Sequence, residues 1–165
     1  MSDELFPVER EILDALNKKA EELWAKKASR PEWTREFTAV IKCAGEQREM
    51  KVYYAGGKKA GKPGWFWDLC WLSEGQSWQD FRGVKLACEI EWKHSNEHIL
   101  EDFLKLVVAD AELRVFVFAV KKSEDVESKF HLLRNACPGS KGHRYLAICF
   151  PDGGNTPVPY RAWTI

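Results

Sequence analysis

The sequence predicts an α/β fold in which a mixed central sheet opens with an antiparallel three-stranded meander and carries helices on both faces. Three observations lead there. Two stretches of helical periodicity stand first in the chain. Three short β-type runs follow, joined by a glycine- and lysine-rich loop and by a polar stretch with turn glycines. Two buried strand-like runs then come, each preceded by a helical stretch, the pattern of strands joined through helices.

Residues 8–28 set Ile12, Leu13, Leu16, Ala20, Leu23 and Trp24 at helical spacing, with charges on the other face. Ser29-Arg30-Pro31 ends that helix. A second helix is predicted over about 32–47, with Phe37, Val40, Ile41 and Ala44 on one side. Phe37-Thr38-Ala39-Val40-Ile41 also reads as a strand. Lys51-Val52-Tyr53-Tyr54 is a β-type run that stops at Gly56-Gly57. Gly56 to Gly64 is a glycine- and lysine-rich loop. Trp65 to Leu72 and Val84 to Trp92 supply the second and third strands, with Gly75 and Gly83 in the turn between them.

A helix follows at about 95–109. Ser95 or Asn96 can cap it, and Glu97 stands where the helix dipole favours an acid. Its apolar stripe is Ile99, Leu100, Phe103, Leu104, Val107 and Val108. Leu113 to Val120 is an internal strand, 124–136 a helix, and Tyr145 to Phe150 another buried strand. After a Pro/Gly loop at 151–158, Tyr160 to Ile165 adds an edge strand. The 165 residues fit one domain, with a core at about 32–150, an N-terminal helix at 8–28 and a C-terminal extension at 151–165.

Composition narrows the function classes. Hydrophobic residues make up 45% and charged residues 30%, a soluble globular balance. No apolar stretch approaches the roughly 20 residues that cross a bilayer, and the acidic N-terminus is unlike a signal peptide. The five cysteines form no Cys-x-x-Cys and read as reduced thiols, so a cytoplasmic location is expected. His94 and His98 are four apart but lack the context of a zinc helix. The net charge is zero, so any hold on nucleic acid must come from a local basic patch or bound cations.

Three carboxylates fall in or beside apolar strands, where an unpaired charge costs several kcal/mol. Asp68 lies in Trp65-Phe66-Trp67-Asp68-Leu69-Cys70-Trp71, and Glu89 and Glu91 lie in Leu86-Ala87-Cys88-Glu89-Ile90-Glu91-Trp92. Glu89 and Glu91 share one sheet face about 7 Å apart. Lys93 continues that face if the strand extends so far. Pairing of the two strands would gather three acids, and hard oxygen ligands without His or Cys favour Mg²⁺ or Mn²⁺. The alternative is a solvated face with Glu89 and Glu91 paired to Arg82 or Lys85.

From Trp65 to Phe118 the chain runs from an isolated Asp in an apolar strand, through a turn, to Glu-x-Glu-Trp-Lys, an amphipathic helix and a buried strand. This resembles the common core of the PD-(D/E)XK superfamily, which contains restriction enzymes and many repair nucleases. Its order of helix, meander, helix and strand matches residues 32–120, and the fold implied is a restriction endonuclease-like core with an extra N-terminal helix. The family's proline is absent, and Trp67 stands in its place. The resemblance implies a metal-dependent nuclease acting on nucleic acid, DNA being the expected form, with Asp68, Glu89 and Glu91 as metal ligands and Asp68, Glu89, Glu91 and Lys93 as the catalytic set.

Two registers are open. In one, Glu91-Trp92-Lys93 is the Glu-x-Lys element and Lys93 orients water. In the other, preferred because Glu89 lies deeper in the strand, Glu91 takes the lysine's place. Glu36, and after it Glu32, match a carboxylate that some members draw from the helix before the meander. Lys105 matches a basic residue that others draw from the helix after it, though an i,i+4 pair with Glu101 would also employ it. Lys58, Lys59 and Lys62 in the glycine-rich loop are candidate phosphate contacts. Arg134, Lys141, His143 and Arg144 would widen the basic surface. The other reading is a catalytically inert module of the same fold that binds nucleic acid or a protein partner, a second copy of the chain included.

Overall fold

The computed structural model describes residues 4–55, 66–73, 80–137, 142–151 and 158–164. Its elements are α1 (Pro7–Ala25), α2 (Arg30–Glu46), β1 (Lys51–Tyr54), β2 (Leu69–Leu72), β3 (Val84–Glu91), α3 (Asn96–Val107), β4 (Ala111–Val120), a 3₁₀ turn (Ser123–Asp125), α4 (Val126–Asn135), β5 (Arg144–Pro151) and β6 (Tyr160–Thr164). The six strands form one sheet in chain order, β1 to β6. β1, β2 and β3 pair antiparallel, β3, β4 and β5 pair parallel, and β6 returns antiparallel on β5. The expected α/β class, mixed sheet and opening meander are therefore present.

Alternation along the strands sorts side chains into two layers. Leu86, Cys88 and Ile90 of β3 and Val115 and Val117 of β4 meet Ile12, Leu16 and Leu23 of α1 and Phe37 and Ile41 of α2. The other face presents Ala87, Phe116, Phe118, Tyr145 and Cys149 to Ile99, Phe103 and Leu106 of α3 and to Phe130 and Leu133 of α4. The β-branched and aromatic runs at residues 115–120 of β4 and 145–150 of β5 are apolar because helices cover both sides of them.

Several local expectations move. Arg30 and Pro31 do not merely end α1; they open α2, with Ser29 as its N-cap. The Glu32 carboxylate accepts from the Ser29 N–H at 2.8 Å. Residues 37–41 are helical, not a strand. The second strand starts only at Leu69, and residues 66–68 form a bend, so Asp68 precedes β2 instead of lying within it. β3 ends at Glu91, and Lys93 is not a strand residue. Ser95 caps α3, accepting from the His98 N–H. Of the stripe predicted for α3, Leu104 and Val108 face outward, 45% and 74% exposed, while Leu106 turns inward.

Two buried charges tie the layers together. Glu9, fully buried at the start of α1, pairs with Arg144 at the start of β5 (Nε to Oε1 2.6 Å). Arg144 is thus a structural ion-pair partner and does not join a basic surface with Arg134 and His143. Arg114, 1% exposed in β4, donates to the carbonyls of Leu106 (3.0 Å), Ala109 and Ala111 (2.6 Å), closing the C-terminal end of α3. Among the described residues, no helix is long and apolar enough to cross a membrane.

Candidate active site

The antiparallel register of β2 and β3 pairs Leu69 with Cys88. That brings the bend ahead of β2 alongside Glu89 and Ile90. The contact is specific in both directions. The Ile90 N–H donates to Oδ2 of Asp68 at 2.9 Å, and the Asp68 N–H donates to Oε1 of Glu89 at 3.3 Å. The geometry works because the bend frees Asp68 from ladder pairing and turns its carboxylate onto the neighbouring strand.

Glu89 is 1% exposed. It shares the α3-facing side of β3 with Ala87, and α3 answers it with Lys105. The Lys105 ammonium lies 3.2 Å from Oε2 of Glu89 and 2.6 Å from Oδ1 of Asp102, one helical turn earlier. The expected pairing of Lys105 with Glu101 is therefore replaced by pairing with Glu89 and Asp102. The alternative pairing of Glu89 and Glu91 to Arg82 or Lys85 does not form either: Lys85 is engaged by Glu112. Trp67, half-buried against α3, donates its indole N–H to the Lys105 carbonyl at 3.2 Å and anchors the bend on the helix.

Burial dominates the electrostatics. It pushes the Glu89 pKa up to about 8, assisted by the Asp68 charge and opposed by Lys105. Burial also raises Asp68, against the stabilising Ile90 N–H, with Asp102 adding to the rise. Glu91, at the end of β3, is raised by burial and by a hydrogen bond with Asp102, although the Lys93 N–H donates to it at 2.7 Å. Asp102 and Glu89 together lift Lys105 above the ordinary lysine range despite its partial desolvation. Cys88, beside these acids and fully buried, is held as a neutral thiol.

No family model, curated protein or solved structure matches this chain.

The structure brings Asp68, Glu89 and Lys105 together, with Glu91 joined through Asp102. It does not bring in Lys93 by its side chain: the residue lies beyond β3 and is exposed. Glu36 stands elsewhere, paired with Arg35 and Lys19 on the helical layer, and Glu32 is spent on the α2 cap. His98 bonds Ser95 through Nδ1 at 2.6 Å, and His94 lies ahead of the helix. Lys58, Lys59, Lys62, Lys141 and Trp65 lie outside the described residues. Asp102 is the member that sequence reading missed. Its spacing of three from Lys105 on one helix, which sets both on one face, was the available signal.

Among the described residues, no group of three or more His, Cys, Asp or Glu side chains is arranged to hold a metal ion. What remains is the Asp68–Glu89 pair. Mg²⁺ and Mn²⁺ suit such a pair, because Mg²⁺ keeps several waters and takes only one or two protein carboxylates. The donor chemistry fits: hard oxygens, partly desolvated, with raised pKa values that a cation would reverse.

Proposed function

We propose that this protein is a metal-dependent phosphodiesterase acting on nucleic acid, built on a PD-(D/E)XK-like core. One observation carries the reading: a lone aspartate at the entry to β2 is hydrogen-bonded to β3 at the position of a buried glutamate, with a lysine from the following helix beside that glutamate. The element order supports it too, since α2, the β1–β3 meander, α3 and β4 follow one another as that core requires.

In this reading Asp68 and Glu89 would hold Mg²⁺ or Mn²⁺. Such an ion lowers the pKa of bound water and offsets charge on a phosphoryl oxygen. Lys105 would add a second positive charge at the same point, held by Asp102. Glu91, hydrogen-bonded to Asp102 at the end of β3, would be the group to accept a proton from water. The geometry favours Glu89-Ile90-Glu91 over Glu91-Trp92-Lys93 as the working element, because Glu89 is the glutamate in contact with Asp68.

A cleavage assay with Mg²⁺ or Mn²⁺ on single- and double-stranded DNA, run beside Asp68→Asn and Glu89→Gln, tests the proposal. Both replacements are isosteric, and each should lower the rate by about a hundredfold or more, as loss of a charge-stabilising group does. Full activity in both variants removes this site from consideration. One observation favours the second reading, an inert binding module: Glu89 already has an internal cation in Lys105. In that case calorimetric titration with Mn²⁺ gives no heat.

A further inference from the structure

Among the large hydrophobic side chains left exposed, Phe66 stands apart. It is 65% exposed and lies two residues before Asp68, in the bend that leads into β2. The backbone around it is held in place. Trp67 is anchored to α3 through the Lys105 carbonyl, and Asp68 is anchored to β3 through the Ile90 N–H. The Phe66 ring meets Trp67 edge-on, with centroids 6.1 Å apart and planes at 90°. Phe6, comparably exposed, differs because the Arg144 guanidinium covers its ring at 4.4 Å.

We infer that Phe66 is a stacking platform for one unpaired base of a nucleic acid whose adjoining phosphate lies at Asp68 and Glu89. This rests on the phosphodiesterase reading and deepens it by naming the substrate class: single strands, flaps or frayed ends. The physical reason is that a base inside a duplex has both faces covered by its neighbours. An exposed ring gains only from a base whose face is free. Charge points the same way. With 25 basic and 25 acidic residues the chain carries no net positive field. With no net positive charge to draw in the backbone of either form, stacking is expected to supply a larger share of the affinity for a single strand. Lys93 and Lys121, both exposed just past the carboxyl ends of the neighbouring parallel strands β3 and β4, are the candidate backbone contacts.

The test is fluorescence anisotropy with labelled oligothymidylate, oligouridylate and a blunt duplex of equal length, in Ca²⁺, a hard cation that carboxylates also hold, with a parallel set in EDTA to read binding without metal. Wild type should prefer the single strands, and the deoxy and ribo arms name the sugar. Phe66→Ala should weaken single-strand binding by about tenfold, the size of one base–aromatic stack, and leave duplex binding unchanged. Phe66→Trp should retain it. The inference is overturned if wild type does not bind single strands, if Phe66→Ala binds like wild type, or if both substrate forms lose affinity equally. Mn²⁺ titration of wild type and Phe66→Ala separates the two claims. Heat of Mn²⁺ binding with no effect of Phe66→Ala sinks the platform alone, whereas an effect of Phe66→Ala without heat sinks the metal site alone.

Discussion

Glu89→Gln offers a stability measurement that reads the candidate site without any substrate. The glutamine keeps the shape and an oxygen acceptor for Lys105 but removes the ionisation. In the wild type the Glu89 pKa rises from 4.5 to about 8 on folding, chiefly by burial. At about 1.4 kcal/mol per unit this amounts to roughly 5 kcal/mol between the protonated and charged forms. The sign follows from proton binding. Between those two pKa values the folded chain holds a proton that the unfolded chain has released. The stabilisation is therefore fully present below about pH 4.5, falls as pH rises, and is gone above about pH 8. Urea unfolding in EDTA should show wild type losing up to about 1.4 kcal/mol per pH unit across that window relative to Glu89→Gln. Above pH 8, Mg²⁺ or Mn²⁺ at about ten times its Kd should restore roughly 1.4 kcal/mol to wild type and nothing to the variant. Parallel stability curves for the two proteins from pH 5 to pH 9 would falsify the buried, proton-holding glutamate.

Removing the internal cation gives the complementary result: Lys105→Met should tighten Mn²⁺ binding measured by calorimetry, because nothing then competes for Glu89, while lowering the cleavage rate. Glu9→Ala should cost about 3 kcal/mol or more in thermal or urea unfolding, because it strands Arg144 at a buried contact; Glu9→Gln, which keeps the acceptor, should cost less. Gly45→Ala should destabilise by about 1 kcal/mol despite the better helix propensity of alanine. The added methyl would lie 2.6 Å from Nε1 of Trp71, whose ring is 3% exposed and has no room to swing, and tryptophan fluorescence should report the shift.

Features governed by local periodicity were legible in the residues. The α1 face of Ile12, Leu16, Ala20 and Leu23, the Ser95 cap and the continuous apolar run of β4 each follow from one covalent segment. The Asp68–Glu89 contact was legible too, because strands that follow one another without a helix between them tend to pair antiparallel. Long-range partners were not legible. Glu9 looks like one more acid in a helix's first turn until Arg144, 135 residues away, is folded against it. Lys105 has Glu101 four residues before it, yet α3 is rotated so that Leu106 points into the sheet. Lys105 then leans toward Glu89, and Leu104 and Val108 are turned out to solvent. The same rotation explains why a six-residue apolar stripe was too wide a reading. Arg114, hidden in the apolar run of β4, carried no local sign that three backbone carbonyls awaited it.

The Lys105–Glu89 contact bears on both functional readings and separates them by consequence. A buried carboxylate beside a second acid needs a neutralising partner, and there are three ways to supply one: a proton, an ammonium or a divalent ion. Here the ammonium is only one helical turn from a second acceptor, Asp102, to which it is already bonded. Withdrawal of Lys105 from Glu89 toward Asp102 would cost it one hydrogen bond of two and leave it paired. On the phosphodiesterase reading the arrangement would suit exchange: Lys105 would neutralise Glu89 until a cation arrived and would then stand beside the phosphate. A purely structural pair would use Asp102 as well, to satisfy the ammonium's remaining protons. Asp102→Asn tests the distinction: if exchange operates, Mn²⁺ affinity falls although Asp102 itself holds no metal, because Lys105 then has nowhere else to go.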